Sequence, residues 1–218
     1  TLRSRVLLVA PRDSYRTAPY IAAARKLDVD VLIASEGNHS LSGLDAPGVK
    51  IDLNDVPASL RVLLAAAHER PFAGVIGTDD TSVELAVAAG IQLNLPHNPL
   101  SAVRLARRKD LARAHLSSAS VMVPRHWRID CTQPLAHQIE KILYPCVVKP
   151  VALSASRGVI RADNAEQLLR AIARVRAMLA SEPQGDERDT LLIEKFIPGE
   201  EVAIEGLLTG GQLEVLAI

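Results

Sequence analysis

Two short segments of the sequence carry residue types suited to holding a nucleotide. In the first, from Tyr144 to Pro150, Lys149 ends an apolar run that favours a strand with a fixed ammonium at its end. The second, from Leu191 to Glu201, places acidic residues around an apolar pair. A cation suits phosphates, an apolar wall with backbone amides suits a purine, and a carboxylate suits the hydroxyls of a ribose. The two segments therefore predict a nucleotide slot.

These segments resemble the ATP-grasp superfamily, in particular its carboxylate–amine ligases, which include D-alanine–D-alanine ligases, L-amino-acid ligases and biotin carboxylases. The resemblance implies an α/β fold: a parallel-sheet pre-ATP-grasp domain over residues 1–99, then a linker helix and the first α+β lobe of an ATP-grasp domain over residues 100–218. We expect this lobe to be incomplete and the chain to be the N-terminal portion of a longer protein.

The resemblance also assigns nucleotide contacts. Two lysines are expected at the phosphates, and a serine- and glycine-containing flap is expected to cover them. A strand end is expected to read the adenine edge through a carbonyl and an amide, and a later glutamate is expected to take the ribose hydroxyls. The residues concerned are Lys109, Lys149, Ser154, Ser156, Gly158, Glu194, Lys195, Ile197 and Glu201.

The flap departs from the family pattern. Ala152, Leu153 and Ala155 stand where relatives often have glycine, which stiffens the loop. From the residues alone, the flap could equally be an ordinary loop between two strands. In that case the lysine before it, Lys149, would be held in a salt bridge. Glu194 and Glu200 equally fit exposed strand residues paired with lysines, and Lys109 equally fits a solvated helix face.

The mechanism implied by the resemblance is phosphorylation of a substrate carboxylate by ATP, followed by attack of an amine on the acyl phosphate. ATP and Mg²⁺ are the expected cofactors, and a small-molecule carboxylate and amine are the expected substrates. The catalytic and metal-binding residues are expected beyond Ile218, so we expect the chain alone to be inactive. Two alternatives stay open: a nucleotide-binding or regulatory module without chemistry, and a Rossmann-like binder of small ligands.

Composition and net charge limit the kinds of partner and compartment expected for this chain. The chain has 218 residues, 48% hydrophobic content and a formal net charge of zero, so a sizeable core in two units is expected without an electrostatic footprint for nucleic acid or anionic membranes. Two isolated cysteines predict neither a disulfide framework nor a metal pair, which favours the cytoplasm. No apolar run approaches the ~20 residues of a membrane span. A homodimer stays possible.

Apolar periodicity predicts alternating strands and helices in the first half, hence a parallel sheet. The predicted strands are 6–9, 29–33, 72–76 and 91–95, the predicted helices are 19–27, 56–68 and 82–89, and Gly90 is expected to stop the last of these. A basic helix over residues 100–118 is expected to follow. At the carboxyl edge of the sheet, loops 11–17 and 77–81 are polar enough to hold a substrate, although Asp79, Asp80 and Thr81 equally fit caps of the next helix.

The sequence lacks the motifs of several other enzyme and metal-binding classes. The sequence has no GxxxxGK[ST] loop, no GxGxxG after the first strand, no GxSxG elbow, no HExxH and no EF-hand loop. Its six histidines are scattered singly, which is not the spacing of a metal site.

Overall fold

A computed structural model describes residues 3–37 and 46–218. The chain divides into two compact units, Thr1–Ser120 and Val121–Ile218. The predicted domain boundary at residue 99 falls before the helical stretch 100–118, which the compact division keeps with the first unit.

The first unit alternates strands and helices. Its strands are β1 (Arg5–Ala10), β2 (Asp30–Ser35), β3 (Gly48–Lys50) and β4 (Gly74–Gly77). Its helices are α1 (Thr17–Lys26), α2 (Val56–Glu69), α3 (Val83–Gln92), α4 (Leu100–Arg107) and α5 (Lys109–Ser118). The strands form one parallel sheet in the order β3-β2-β1-β4. The predicted parallel α/β fold is confirmed.

Helices cover both faces of this sheet, which explains why its central strand is apolar throughout. Leu7 of β1 lies in a buried cluster with Leu63 of α2 and Leu85 of α3. Leu8, the next residue, lies in a second cluster with Ile21 of α1. Alternate residues of a strand point to opposite faces, so a continuous apolar run is what a doubly covered parallel strand requires.

Two expectations for the first unit are wrong. The predicted strand 91–95 does not form, because α3 runs through Gly90 to Gln92. Gly90 is buried, and a Cβ on it would lie 3.2 Å from Cβ of His97, so this glycine allows close packing and does not stop the helix. The predicted single helix over 100–118 is also wrong, since Arg108 has extended backbone angles (φ −97°, ψ 109°) that separate α4 from α5.

The second unit is built on antiparallel strands. Its strands are β5 (His126–Asp130), β6 (Cys146–Pro150), β7 (Ile160–Ala162), β8 (Thr190–Lys195), β9 (Glu205–Thr209) and β10 (Gln212–Ala217). Its helices are α6 (Leu135–Ile139), α7 (Ala165–Leu179) and α8 (Asp186–Asp189). Four strands form a sheet in the order β5-β8-β6-β7, and β9 and β10 form a separate hairpin.

Helix α7 supplies the core of this unit. The side chain of its N-cap residue, Asn164, accepts a hydrogen bond from the backbone amide of Gln167 at 3.0 Å. This bond fixes where the helix begins. Its buried stripe includes Leu168 and Ile172, which share a cluster with Val148 of β6 and Ile193 of β8. The helix therefore covers one face of the four-stranded sheet.

Within residues 3–37 and 46–218, no helix combines the length and the apolar character that a membrane crossing requires.

Candidate nucleotide-binding site

The candidate site lies on the face of the four-stranded sheet that α7 does not cover. Strand β8 pairs with β6 on one side, where Glu194 lies opposite Val147, and with β5 on the other, where Glu194 lies opposite His126. Lys149 is two residues beyond Val147 and so points to the same face as Glu194. Ile193 and Val148, which alternate with them, point into the α7 core. Strand alternation alone thus brings Lys149 and Glu194 to one surface.

Lys149 and Glu194 form an ion pair in which the lysine ammonium donates to Oε2 of the glutamate. The Glu194 side chain is only 4% exposed, whereas that of Lys149 is 23% exposed. A carboxylate buried to this extent needs a charged or hydrogen-bonding partner, and Lys149 supplies one. The salt bridge that the sequence left as an alternative is therefore present, although Glu194 is buried and not an exposed strand residue.

The end of β8 presents main-chain groups next to this pair. The amide of Lys195 donates to the carbonyl of Arg125 at 2.8 Å, and the amide of Phe196 donates to the carbonyl of Pro145 at 3.0 Å. Ile197 is exposed, and its amide makes no hydrogen bond to any residue that the structure describes. The chain leaves the sheet at Ile197 with a donor open to solvent.

The ammonium of Lys195 has a structural partner. Its Nζ donates to the carbonyl of Tyr144 at 2.6 Å. This contact ties the end of β8 to the chain that enters β6, so only the main chain of Lys195 is left to meet a ligand.

Sequence reasoning missed an aromatic contact beside the site. The guanidinium of Arg161 lies over the ring of Phe196, 4.3 Å from its centroid. Arg161 is opposite Val147 in the pairing of β7 with β6, so it belongs to the same face as Glu194. The alternation of β6 and β7 is the signal that could have found it, but β7 has only three residues and was not predicted.

The predicted flap is the loop between β6 and β7. Two backbone hydrogen bonds lie within this loop. The amide of Arg157 donates to the carbonyl of Ser154, and the amide of Val159 donates to the carbonyl of Ser156, both at 3.2 Å. The hydroxyls of Ser154 and Ser156 are exposed and bond to none of the described residues. The flap therefore offers two uncommitted hydroxyls.

Gly158 has a conformational and packing role in this loop. Its φ is +72°, and a Cβ there would lie 2.8 Å from Cγ of Pro150. Ala155 and Ser156 also have positive φ, at 55° and 56°, which is unusual for residues with a side chain. Such a backbone is less adaptable than the glycine-rich version.

Two further predicted residues, Glu201 and Lys109, do not belong to the four-stranded sheet. Glu201 is exposed in the segment before β9 and makes no hydrogen bond or ion pair with a described residue. Lys109 is the first residue of α5, in the first unit.

Neither cysteine has the properties of a nucleophile or redox centre. Burial raises the pKa of the Cys146 thiol to about 11, and burial also raises the pKa of Cys131. Both thiols are therefore protonated near neutral pH and poorly reactive.

Over the described ranges, no group of three or more His, Cys, Asp or Glu side chains could hold a metal ion.

Known proteins share part of this sequence and its fold. Residues 142–218, which include β6, the flap and β8, match the ATP-grasp domain family. Phosphoribosylamine–glycine ligase of Streptococcus suis is 28% identical over 207 residues, covering 89% of this chain and 46% of that protein. The chain thus spans about half the length of the curated relatives it matches.

Two solved structures extend the likeness. An L-amino acid ligase from Bacillus licheniformis superposes with a TM-score of 0.77 at 27% identity, covering 99% of this chain and 50% of that one. An N5-carboxyaminoimidazole synthetase from Staphylococcus aureus, solved with ADP, shares the fold with a TM-score of 0.64 at 14% identity, covering 94% of this chain and 50% of that one. These matches confirm the resemblance to the ATP-grasp superfamily, of the carboxylate–amine ligase type, with residues 142–218 as the part that matches its ATP-grasp domain.

Proposed function

We propose that the chain is the nucleotide-binding portion of an ATP-dependent carboxylate–amine ligase that acts through an acyl-phosphate intermediate. One observation carries this proposal: Lys149 is held beside the buried Glu194 on the sheet face opposite α7, and the amide of Ile197, where the chain leaves β8, makes no hydrogen bond to a described residue. A fixed cation, a carboxylate and a main-chain donor are the groups that a purine nucleotide requires.

The phosphate side of the site consists of a cation and the flap loop. Lys149 offsets the phosphate charge, and its position at a strand end limits the side-chain entropy lost on binding. The hydroxyls of Ser154 and Ser156 donate to the terminal phosphates, and the turn at Gly158 sets the direction of the loop. Lys109 is proposed as a second phosphate contact.

The purine and ribose side uses the exit from β8. The carbonyl of Lys195 and the amide of Ile197 pair with the adenine edge, and the Glu194 carboxylate accepts from its amino group. Glu201 accepts from the ribose hydroxyls. This arrangement requires that Glu194 share its hydrogen bonds between Lys149 and the purine.

The substrates are proposed from the relatives. The matched relatives are a phosphoribosylamine–glycine ligase and an L-amino acid ligase, so a small-molecule carboxylate and amine are proposed as substrates here. ATP supplies the phosphoryl group that activates the carboxylate, and Mg²⁺ is proposed to accompany its phosphates. We assign no metal ligand and no catalytic residue among residues 3–37 and 46–218.

The proposal is tested with the longest natural protein that contains this sequence. ADP release is measured with pooled amino acids, and hydroxylamine is added to trap an acyl phosphate as a hydroxamate. We expect amino-acid-dependent ADP release, hydroxamate formation, and loss of both in Lys149→Ala but not in Lys141→Ala, an exposed lysine near the same strand. ATP binding without ADP release would instead identify a regulatory module. The 218-residue chain alone is expected to release no ADP.

A further inference from the structure

The first unit contains a cavity of about 720 Å³ at the amino edge of its sheet. Arg5 and Asp30, the first residues of β1 and β2, are paired in the sheet and both line the cavity. Arg70, the C-cap residue of α2, lines it as well. A volume of this size is in the range of small-molecule sites, ~300–1,000 Å³. Open parallel sheets bind ligands outside the carboxyl ends of their strands, so this cavity lies at the opposite edge.

Basic side chains outnumber acidic ones around this cavity. Four arginines line it against two aspartates and one glutamate, which leaves one positive charge in excess. Both aspartates already have an arginine partner: Nη2 of Arg70 lies 2.6 Å from Oδ2 of Asp30, and Nε of Arg3 lies 2.8 Å from Oδ1 of Asp28. Neither aspartate is therefore left to neutralise Arg5.

The guanidinium of Arg5 is half-buried and forms no ion pair with a carboxylate that the structure describes. Its Nη1 donates to the carbonyls of Ala66 and Arg70, at 3.5 and 3.1 Å. The guanidinium also lies over the ring of Phe72, 4.8 Å from its centroid. Its Nε and Nη2 donate to none of the described residues. These two nitrogens form the edge of a guanidinium that binds a carboxylate through two parallel hydrogen bonds.

The electrostatics of Arg5 agree with a missing anion. Burial lowers the pKa of Arg5, the positive charge of Arg70 lowers it further, and the charges of Glu69 and Asp30 only partly offset both effects. The charged guanidinium is thus short of negative charge in the described part of the chain. A bound carboxylate would supply that charge.

Another part of the lining is apolar. Ile21 and Ala24 of α1 and Val31 of β2 line the cavity and belong to one apolar cluster. Ala46 and Pro47 add further apolar lining. Burying apolar surface contributes about 25 cal/mol per Å², which a fully hydrated inorganic ion cannot gain. The lining therefore favours a ligand that has an apolar body as well as an acidic group.

We propose that this amino-edge cavity binds a small carboxylic acid with an apolar body, whose carboxylate is held by the Nε and Nη2 edge of Arg5. A single positive charge in excess suits a monoanion, and the planar guanidinium matches the planar carboxylate. The site is formed by the first unit alone and does not depend on the proposed function.

The test is a titration of the 218-residue chain with isocaproate in the absence of nucleotide. The NMR shifts of the Arg5 Nε–H and of the Ala24 amide report binding. Isocaproamide, acetate and inorganic phosphate are added in separate arms at matched ionic strength. We expect saturable shifts with isocaproate and an affinity at least about tenfold weaker in each other arm, because each lacks the charge, the apolar body or both the carboxylate and the body. No saturable shift with isocaproate, or equal affinity in any other arm, would overturn the proposal.

Three variants make the test specific. Arg5→Gln should weaken isocaproate binding by about tenfold or more, because two charge-assisted hydrogen bonds are lost. Arg61→Gln removes the same charge from an exposed position of α2 outside the cavity and should leave the affinity unchanged.

Ala24→Leu keeps a good helix former in α1 and fills part of the apolar wall without altering Arg5. It should weaken isocaproate binding as well, and it tests the site even where Arg5→Gln does not fold. Circular dichroism establishes which variants are folded. Equal affinities for the parent, Arg5→Gln and Ala24→Leu, or for the parent and Ala24→Leu where Arg5→Gln is unfolded, would refute the site.

Discussion

The ion pair between Lys149 and Glu194 is the residue-scale feature that most changes the account of the site. The resemblance predicted both residues as separate ligands of one nucleotide, and the sequence left an ion pair open for each without naming its partner. The structure pairs them, so a phosphate must compete with a buried carboxylate for the same ammonium. The pairing could not be predicted from spacing, since it depends on the register that places Glu194 opposite Val147.

This pair predicts a loss of stability when the lysine is removed. Lys149→Ala leaves Glu194 buried without its partner, and we expect the free energy of unfolding to fall by about 1–3 kcal/mol. The loss is below that for a fully buried pair because Lys149 is partly exposed. Urea unfolding measures it, and Lys141→Ala should change stability by less than about 0.5 kcal/mol. Equal stabilities of the two variants would show that the pair contributes nothing.

Asp79 predicts a pH dependence in the first unit. Burial alone would raise the Asp79 pKa, but hydrogen bonds from Ser14 and Thr78 and the charge of Arg16 outweigh it, and the pKa is lowered. A carboxyl whose pKa is lower in the folded state stabilises the fold above its unfolded value of about 3.9 and loses that contribution as the pH falls through the folded value.

Asp79→Asn should therefore be less stable than the parent at pH 7, and the difference should shrink as the pH falls below about 4. Urea unfolding at a series of pH values measures this, with Asp28→Asn, an exposed aspartate, as the control. A stability difference that stays constant from pH 7 to pH 3 would contradict the assigned network.

At the scale of elements, apolar periodicity predicted the helices that bury a stripe of apolar side chains and the strands that bury a continuous apolar run. It found β1 and α2, whose core and cap the structure confirms. It failed at Gly90, where a helix and a short strand share the same apolar composition, and at β7, which is too short to show a period. The open hydroxyls of the flap follow from its loop position, but its left-handed backbone did not follow from the sequence.

The segment after β8 carries a prediction about ribose recognition. If Glu201 takes the ribose hydroxyls, the protein should prefer ATP over 2′-deoxy-ATP, because the deoxynucleotide lacks one charge-assisted hydrogen bond. Competition binding should show that Glu201→Ala erases this preference, whereas the matched control Glu200→Ala keeps it. Loss of the preference in Glu200→Ala alone would place the ribose contact one residue earlier.

At the scale of the whole molecule, the sequence predicted two units and the superfamily, because motifs and apolar rhythm extend over the entire chain. The compact units divide after Ser120, and α4 and α5, which resemble a linker in sequence, group with the first unit. The domain boundary at residue 99 stays a prediction.

The hairpin predicts self-association. Leu208 and Leu213 lie opposite each other, with Val215 on the same face, and all three are exposed. A two-stranded hairpin is marginally stable alone in water, and its apolar face gains stability when covered. Sedimentation should show a mass that rises with concentration, less so in Leu213→Gln than in Leu27→Gln, an exposed leucine of the first unit. A monomer at every concentration would exclude this.

The most direct test of the central claim, that Lys149 and Glu194 form a nucleotide site, is calorimetric titration of the folded chain with ATP. We predict saturable binding that Lys149→Ala weakens by on the order of 1.5–3 kcal/mol and that Lys141→Ala leaves unchanged. Circular dichroism at the titration temperature establishes that each variant is folded. The same ATP affinity for Lys149→Ala and the parent would contradict the account.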